Sequence, residues 1–388
     1  MKRLASVVLA IGLLALIAPA TVPAAAARDT IVLGTTDKIT TLDPANSYDY
    51  WTWFVFQNTA QALVGFKPGT TEIVPQLATS WTVSPDGKTY TFKLRRGVTF
   101  TDGAPFNAQA VKFSFDRALK LKGPEGAVGL IENIQSVSVV DASTVRFTLK
   151  EADATTLSRL SESIGISVIT SPKSTPANAF AKGFNQYAGT GPYRLTQYTP
   201  GQRAVLEAYA RYWGTKPPTR RIIIVFYADS AALAAAVESG QVDVGYRSFS
   251  PDDIKRLTTN AKLQVVRSAQ FPSVRYIVFN VTAKPFDNVK IRRAISYAVD
   301  RDRIVSDVFG GLNQSLYTMV PPGMWSSINT FPKRDLNKAK SLLSEAGYTE
   351  ANKLAVTLWF TPSHYGTTES DAAAVLKSSI EQTGLVSV

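Results

Sequence analysis

Residues 77–103 read LATSWTVSPDGKTYTFKLRRGVTFTDG, and their turn signals and alternation predict a hairpin, which by itself is what any β-rich protein carries at a sheet edge. Trp81 and Val83 lead into Ser84-Pro85-Asp86-Gly87, where proline presets φ at the second turn position and glycine supplies a positive φ. The chain then alternates. Tyr90, Phe92 and Leu94 fall on one face and Thr89, Thr91 and Lys93 on the other, the period of a half-buried strand. A second turn at Asp102-Gly103 precedes Pro105-Phe106 and a helix from Asn107, a good N-cap residue, with Val111, Phe115, Ala118 and Leu119 on one face. A second hairpin follows, with Val137 and Val139 before a turn at Asp141-Ala142-Ser143 and Val145, Phe147 and Leu149 after it. Residues 76–170 thus read as a small α+β module.

Upstream, Thr30 to Gly34 reads as a first strand ended by Leu42-Asp43-Pro44, and an aromatic stretch, Ser47 to Trp53, enters a helix through Phe56 and Leu63. Downstream, Gly189-Thr190-Gly191-Pro192-Tyr193 interrupts all periodicity and marks a special backbone conformation. Strands are expected at 194–197, 204–207 and 221–227. Asp229 caps a helix over 230–239 stopped by Gly240, and Ser250-Pro251-Asp252-Asp253 is a compact helix start. Further strands are expected at 274–280 (VRYIVFN) and 354–360 (LAVTLWF). Helices are expected through Ile291, Ala294, Ile295 and Ala298, from Asp335, and over 369–383. Alternating strands and helices in this last third indicate an α/β layout.

The 388 residues point to two or three domains, and 45% hydrophobic with 19% charged residues is an ordinary globular mixture. Lys2 and Arg3, the apolar run Leu4 to Ala18 and the Ala24–Ala27 stretch read as a secretory signal peptide over 1–27. Cysteine is absent, so neither a disulfide framework nor a lipobox anchor is available, and a periplasmic location is expected. The net charge of +12 falls to about +10 without the signal. Its basic residues are scattered rather than gathered in a nucleic-acid motif, and the plainer reading is a solvated basic surface. The catalytic inventory is thin. The sole histidine, His364, sits in a loop, and no H-E-x-x-H, G-x-S-x-G, S-x-x-K or Walker string occurs. Carboxylate pairs such as Asp252-Asp253 read as helix-start charges.

The segment 77–103 resembles the signature of the family 5 solute-binding proteins of ABC importers, the peptide- and nickel-binding group. The likeness extends in order through Leu42-Asp43-Pro44, residues 74–78, Gly189 to Tyr193, Tyr212-Trp213-Gly214, Gly240 to Asp243, Phe279-Asn280, residues 285–289, Ile291 to Ile295, Ala298 to Arg301 and AKSLLSEAGY at 339–348. It implies a two-lobed, periplasmic-binding-protein-like α/β fold of the class II, cluster C type. Lobe 1 would combine 28–75 and 186–275, with 76–185 an inserted α+β subdomain and 276–388 lobe 2. Family members run longer, so an incomplete second lobe is expected. The aspartate that pairs with a peptide's α-amino group would lie beyond residue 388. The implied function is that of an exported, monomeric receptor. It closes by hinge motion on a short peptide and delivers it to the permease subunits, with no cofactor, metal or nucleic acid.

Tyr48, Asp49, Tyr50 and Trp51 sit in an irregular segment after the first strand, where loops of α/β folds face a crevice. The aromatics can stack on a ligand and Asp49 can pair with a cation; alternatively, Trp51 begins a buried helix face. Tyr246 and Arg247 follow the Asp243 strand, and Arg247 can hold a carboxylate bidentately or be a plain surface arginine. Tyr276 and Asn280 lie where the resemblance puts the start of lobe 2. Asn280 can donate to and accept from a peptide backbone, or simply begin a turn before Pro285. Other open ligand classes are an oligosaccharide, an opine or a nickel complex. The competing functions are a secreted carboxylate-dependent hydrolase, for which no carboxylate pair stands out, and a basic adhesion or matrix protein.

Overall fold

The computed structural model describes residues 29–161, 164–247, 249–267, 273–322, 324, 326–361 and 368–388; the expected signal peptide and His364 lie outside them. In chain order come β1 (Thr30–Thr35), α1 (Tyr50–Thr59), β2 (Val64–Phe66), β3 (Ile73–Pro75), β4 (Ala78–Val83) and β5 (Thr89–Leu94). They are followed by α2 (Ala108–Leu121), β6 (Ile134–Asp141), β7 (Thr144–Leu149), the one-turn α3 (Thr156–Arg159), β8 (Tyr193–Thr199) and β9 (Arg203–Ala208). Next are β10 (Arg221–Phe226), α4 (Ser230–Glu238), β11 (Val244–Gly245), α5 (Pro251–Thr258) and α6 (Val289–Ala298). A short α7 (Arg301–Arg303) runs into a π-helical turn, and α8 (Leu336–Glu345), β12 (Leu354–Ala355), α9 (Thr368–Glu381) and β13 (Val386–Ser387) complete the described chain.

The opening segment folds as its alternation predicts. Gly87 takes φ +69°, and the Asp86 carboxylate accepts from Ser84 and from the Lys88 amide, closing the turn. Trp81 then opposes Phe92, and Val83 opposes Tyr90. β5 pairs in turn with β7, giving an antiparallel sheet of order β4-β5-β7-β6. Asn107 caps α2 by accepting from the Ala110 amide at 3.1 Å, and the helix lays Phe115 edge-on against Phe147 with centroids 4.9 Å apart. Phe92, Phe115 and Phe147 are all buried. Each such side chain contributes about 1.5–3 kcal/mol by leaving water.

The main sheet has the order β11-β1-β10-β9-β8. β1 runs parallel to β10 and β11, while β9 and β8 form an antiparallel hairpin against β10. β11 is only two residues long, and the Asp243 side chain extends its edge by accepting from the Val32 amide at 2.8 Å. The Gly189-Thr190-Gly191 break has a steric cause. A Cβ on Gly189 would lie 2.3 Å from the Thr59 carbonyl oxygen, and one on Gly191 would lie 2.5 Å from the Thr59 carbonyl carbon. Backbone meets backbone here, at the end of α1, and only glycine fits.

Two polar clusters fasten the four-stranded sheet's unit to the main sheet's unit. Arg117 of α2 binds the buried Asp43 carboxylate in two-pronged fashion, and donates to the carbonyls of Pro176 (2.6 Å) and Ala179 (2.7 Å). Asp43 also accepts from the amides of Ala45 and Ala181. Second, Trp213 Nε1 donates to Gln61 Oε1 at 2.7 Å while the Arg95 guanidinium lies 4.2 Å above the Trp213 ring. These contacts give Leu42-Asp43-Pro44 and Tyr212-Trp213-Gly214 structural work.

The last third forms a separate core. Ile291, Ala294, Ile295 and Ala298 of α6 pack on Ala339, Leu342 and Leu343 of α8, with Leu354, Ile380 and Val386 completing it. Asn288 caps α6, and Asp335 caps α8. Two strand expectations need correction. Residues 274–280 make no strand ladder, although Ile277 and Phe279 pack on this core and Val278 is 76% exposed. Of 354–360, only Leu354–Ala355 is strand, paired with β13, and Trp359 is 88% exposed. Alternate residues do face inward in both segments. A ladder also requires a neighbouring strand, which among the described residues neither full segment has. No helix among the described residues is long and apolar enough to cross a membrane.

Candidate functional site

β1 and β11 are parallel neighbours, so their carboxyl ends emerge side by side. The chain leaving β1 carries Asp37 and reaches α1 at Tyr50; the chain leaving β11 carries Tyr246 and Arg247. Asp49 is the N-cap of α1, accepting from the Thr52 amide at 2.8 Å and from Thr40 Oγ1 at 2.5 Å. Its carboxylate is thus committed to starting the helix and fixing the incoming loop. The Tyr246 amide donates to the Gly34 carbonyl at 3.0 Å, anchoring the second branch on β1.

From these two branches the structure assembles one cluster. The rings of Tyr50 and Tyr246 stack with centroids 6.0 Å apart, and their hydroxyls hydrogen-bond at 2.6 Å. The Arg247 guanidinium sits 4.6 Å from the Tyr50 ring centroid, and its Nη1 lies 3.2 Å from Asp37 Oδ2. Burial, then the hydrogen bond with Tyr246, raises the Tyr50 hydroxyl above the usual tyrosine range, so Tyr50 stays neutral at physiological pH. Arg247 has φ +65°, a left-handed conformation uncommon for a non-glycine residue.

Trp51 is 1% exposed and packs with Val55, Tyr193 and Leu206 in the core of the main sheet, its ring edge-on to Tyr246. The core reading therefore holds for Trp51, which supports the cluster from beneath. Tyr48 is 65% exposed and lies edge-on to Trp53 at 5.4 Å. Tyr276 is exposed and outside the cluster. Asn280 Oδ1 accepts from the amide and hydroxyl of Thr282, so the turn reading describes its present bonding. Sequence reasoning missed Asp37, although its place just past the first strand was the available signal.

Among the described residues, no three or more His, Asp or Glu side chains gather as a metal site. An open depression of about 210 Å³ lined by Phe113, Arg117 and Ala177 lies on α2, away from the tyrosine cluster. Its one buried charge, Arg117, is already bound to Asp43.

A model of bacterial extracellular solute-binding proteins, family 5 (middle region), matches residues 72–387. The chain is 35% identical over 334 residues to heme-binding protein A of Haemophilus influenzae, and 35% identical over 321 residues to the dipeptide-binding protein of Escherichia coli. These alignments cover 79% and 77% of this chain, which spans 59% of the length of each relative. Among solved structures, the periplasmic binding protein DppA of Helicobacter pylori, in complex with the peptide STSA, superposes with a TM-score of 0.79 at 28% identity. That superposition covers 92% of this chain and 73% of the other. The chain belongs to family 5 of the bacterial extracellular solute-binding proteins, and its α/β fold is the two-lobed one of periplasmic binding proteins.

Proposed function

We propose that this chain is the exported solute-capturing component of an ABC importer and that its cargo is short peptides. The observation that carries the reading is the tyrosine–arginine cluster at the carboxyl ends of β1 and β11. In open α/β sheets, ligands bind beyond the carboxyl ends of the strands. The dipeptide-binding relative and the peptide-bound neighbour favour peptides as the solute class. In this reading lobe 1 combines 28–75 and 186–275, with 76–185 inserted, and lobe 2 begins at 276. Hinge closure between the lobes encloses the peptide and presents both lobes to the permease. Tyr48, Tyr50, Tyr246 and Arg247 form the lobe 1 wall; Tyr276 and Asn280 approach from the connection to lobe 2. The protein acts as a periplasmic monomer after signal-peptide removal, and it captures its cargo without transforming it. In support of that, Asp49 caps a helix and Asp37 pairs with Arg247, so neither is arranged as a general acid or base.

The test is a thermal-shift screen of the full-length protein against a di- to tetrapeptide library. Ligand at a hundred times its Kd stabilises the folded state by about 2.7 kcal/mol. Peptide-dependent stabilisation supports the reading. Stabilisation only by a sugar, an opine or a nickel chelate overturns peptides as the cargo.

A further inference from the structure

The Asp37–Arg247–Tyr50 arrangement goes further than an aromatic wall. Arg247 is held from two directions, with its guanidinium over the Tyr50 ring at 4.6 Å and its Nη1 3.2 Å from Asp37. Its backbone is in the left-handed region at φ +65°. For a residue other than glycine or asparagine, that conformation costs about 1 kcal/mol and persists only where the surroundings impose it. A guanidinium has five N–H donors in a rigid fork, more than one carboxylate can engage. Arg247 still has 30% of its side-chain surface exposed, whereas Asp37 has only 14%. The ring beneath Arg247 is tied in turn to Tyr246 through the paired hydroxyls, so both strand ends hold the guanidinium plane.

We propose that Arg247 is a preset carboxylate receptor, oriented by Asp37 and Tyr50, and that the solute presents a free carboxylate to it beside an apolar group resting on Tyr50 and Tyr246. Asp37 and Tyr50 are positioning residues: they fix where the fork points before the ligand arrives. Asp37 also offsets the cation's charge, so a bare inorganic anion gains little there. A carboxylate attached to an apolar body gains both the charge-assisted hydrogen bonds and the ring contact. This inference rests on the peptide-receptor reading, where the carboxylate is the peptide's C-terminus, but it makes a narrower claim about one residue.

The experiment compares Ala-Leu-Ala with its C-terminal amide by calorimetric titration of the full-length protein. Arg247→Asn is the matching variant, because asparagine tolerates the left-handed backbone and keeps the fold. Wild type is expected to bind the free acid at least tenfold more tightly than the amide. Arg247→Asn is expected to remove that preference by weakening the acid tenfold or more, leaving the amide within about twofold. Tyr50→Leu, which takes away the ring under the guanidinium, should reduce the acid preference part-way. Equal binding of acid and amide by wild type overturns the inference while leaving a peptide receptor standing, as does equal weakening of both by Arg247→Asn. If neither peptide binds, the same two proteins are compared on millimolar benzoate and benzamide by thermal shift, while the peptide reading itself stands or falls on the library screen. Stabilisation by benzoate alone, lost in Arg247→Asn, sustains the carboxylate site; any other pattern overturns it.

Discussion

Replacing Arg117 by methionine tests what holds α2 to the loop after β1. In the folded protein Asp43 is fully buried, and Arg117 supplies it with two charge-assisted hydrogen bonds while donating to the carbonyls of Pro176 and Ala179. The variant keeps most of the side-chain volume and removes all four bonds. Asp43 would then keep the amides of Ala45 and Ala181 but have no counter-ion. Breaking a buried pair on one side costs about 3–5 kcal/mol, because the remaining charge has been taken out of water without compensation. Against a typical total stability of about 5–15 kcal/mol, that is a large fraction. The second change, Asp43→Asn, removes the stranded charge and still accepts from Ala45. The double variant should therefore be less destabilised than the sum of the two singles, with a coupling of about 1–3 kcal/mol. Urea unfolding of the full-length protein, followed by tryptophan fluorescence, measures all four corners of the cycle. If Arg117→Met does not fold, Asp43→Asn and the double variant still give the ordering. An Arg117→Met protein within about 1 kcal/mol of wild type, or a double variant as unstable as the sum, would refute the reasoning.

Gly191→Ala should lower stability by about 1–3 kcal/mol or more, because its new Cβ meets the backbone of Thr59 and Ala60. Gly129→Ala, with nothing within 4 Å of the new methyl, should stay within about 0.5 kcal/mol, and thermal melts compare the two. Ser250→Ala removes the reciprocal cap in which Ser250 Oγ accepts from the Asp253 amide at 3.0 Å, and should cost about 1 kcal/mol by urea denaturation. Alkaline pH gives a further check. Burial raises Tyr187 and Tyr50 above the ordinary tyrosine range. A raised folded-state value means their contribution is complete below about pH 10, the unfolded value, and is lost as pH climbs from there towards the folded values. Stability measured at pH 8 and pH 10.5 should fall, and Tyr187→Phe should lessen the fall. An unchanged fall in that variant would remove Tyr187 from the account.

Local order was legible in the sequence wherever it depends on neighbours along the chain. The Ser84–Gly87 turn, the alternation of Tyr90, Phe92 and Leu94, and the caps at Asn107, Asp229 and Asp335 all read correctly because period and cap chemistry act over a few residues. Pairings across long stretches left no local mark. Nothing beside Asp43 announces Arg117, and nothing beside Gln61 announces Trp213. The segments 274–280 and 354–360 show the converse. Their alternate residues face the core, but a ladder is a property of two strands, and one strand's pattern does not contain it. At the candidate site, the place of Tyr50, Tyr246 and Arg247 after strands singles them out, and the structure brings the three into contact. The sequence reading did not give Asp49 its capping role, although a carboxylate just before a helix commonly serves the helix first. The left-handed backbone of Arg247 had no glycine or asparagine to signal it.

The pairing of β1 with β10 sets an order of assembly. Thr30 must find Arg221 across roughly 190 intervening positions, whereas Trp81 finds Phe92 about ten residues on. Loop-closure entropy alone makes the first encounter roughly 2–3 kcal/mol dearer. During synthesis the hairpins of the four-stranded sheet can therefore form long before the five-stranded one closes. Until Arg221–Phe226 has been made, the apolar strand TIVLGT waits with both edges open. That interval is when the chain is most exposed to pairing with other chains, and when a holding chaperone would protect it most.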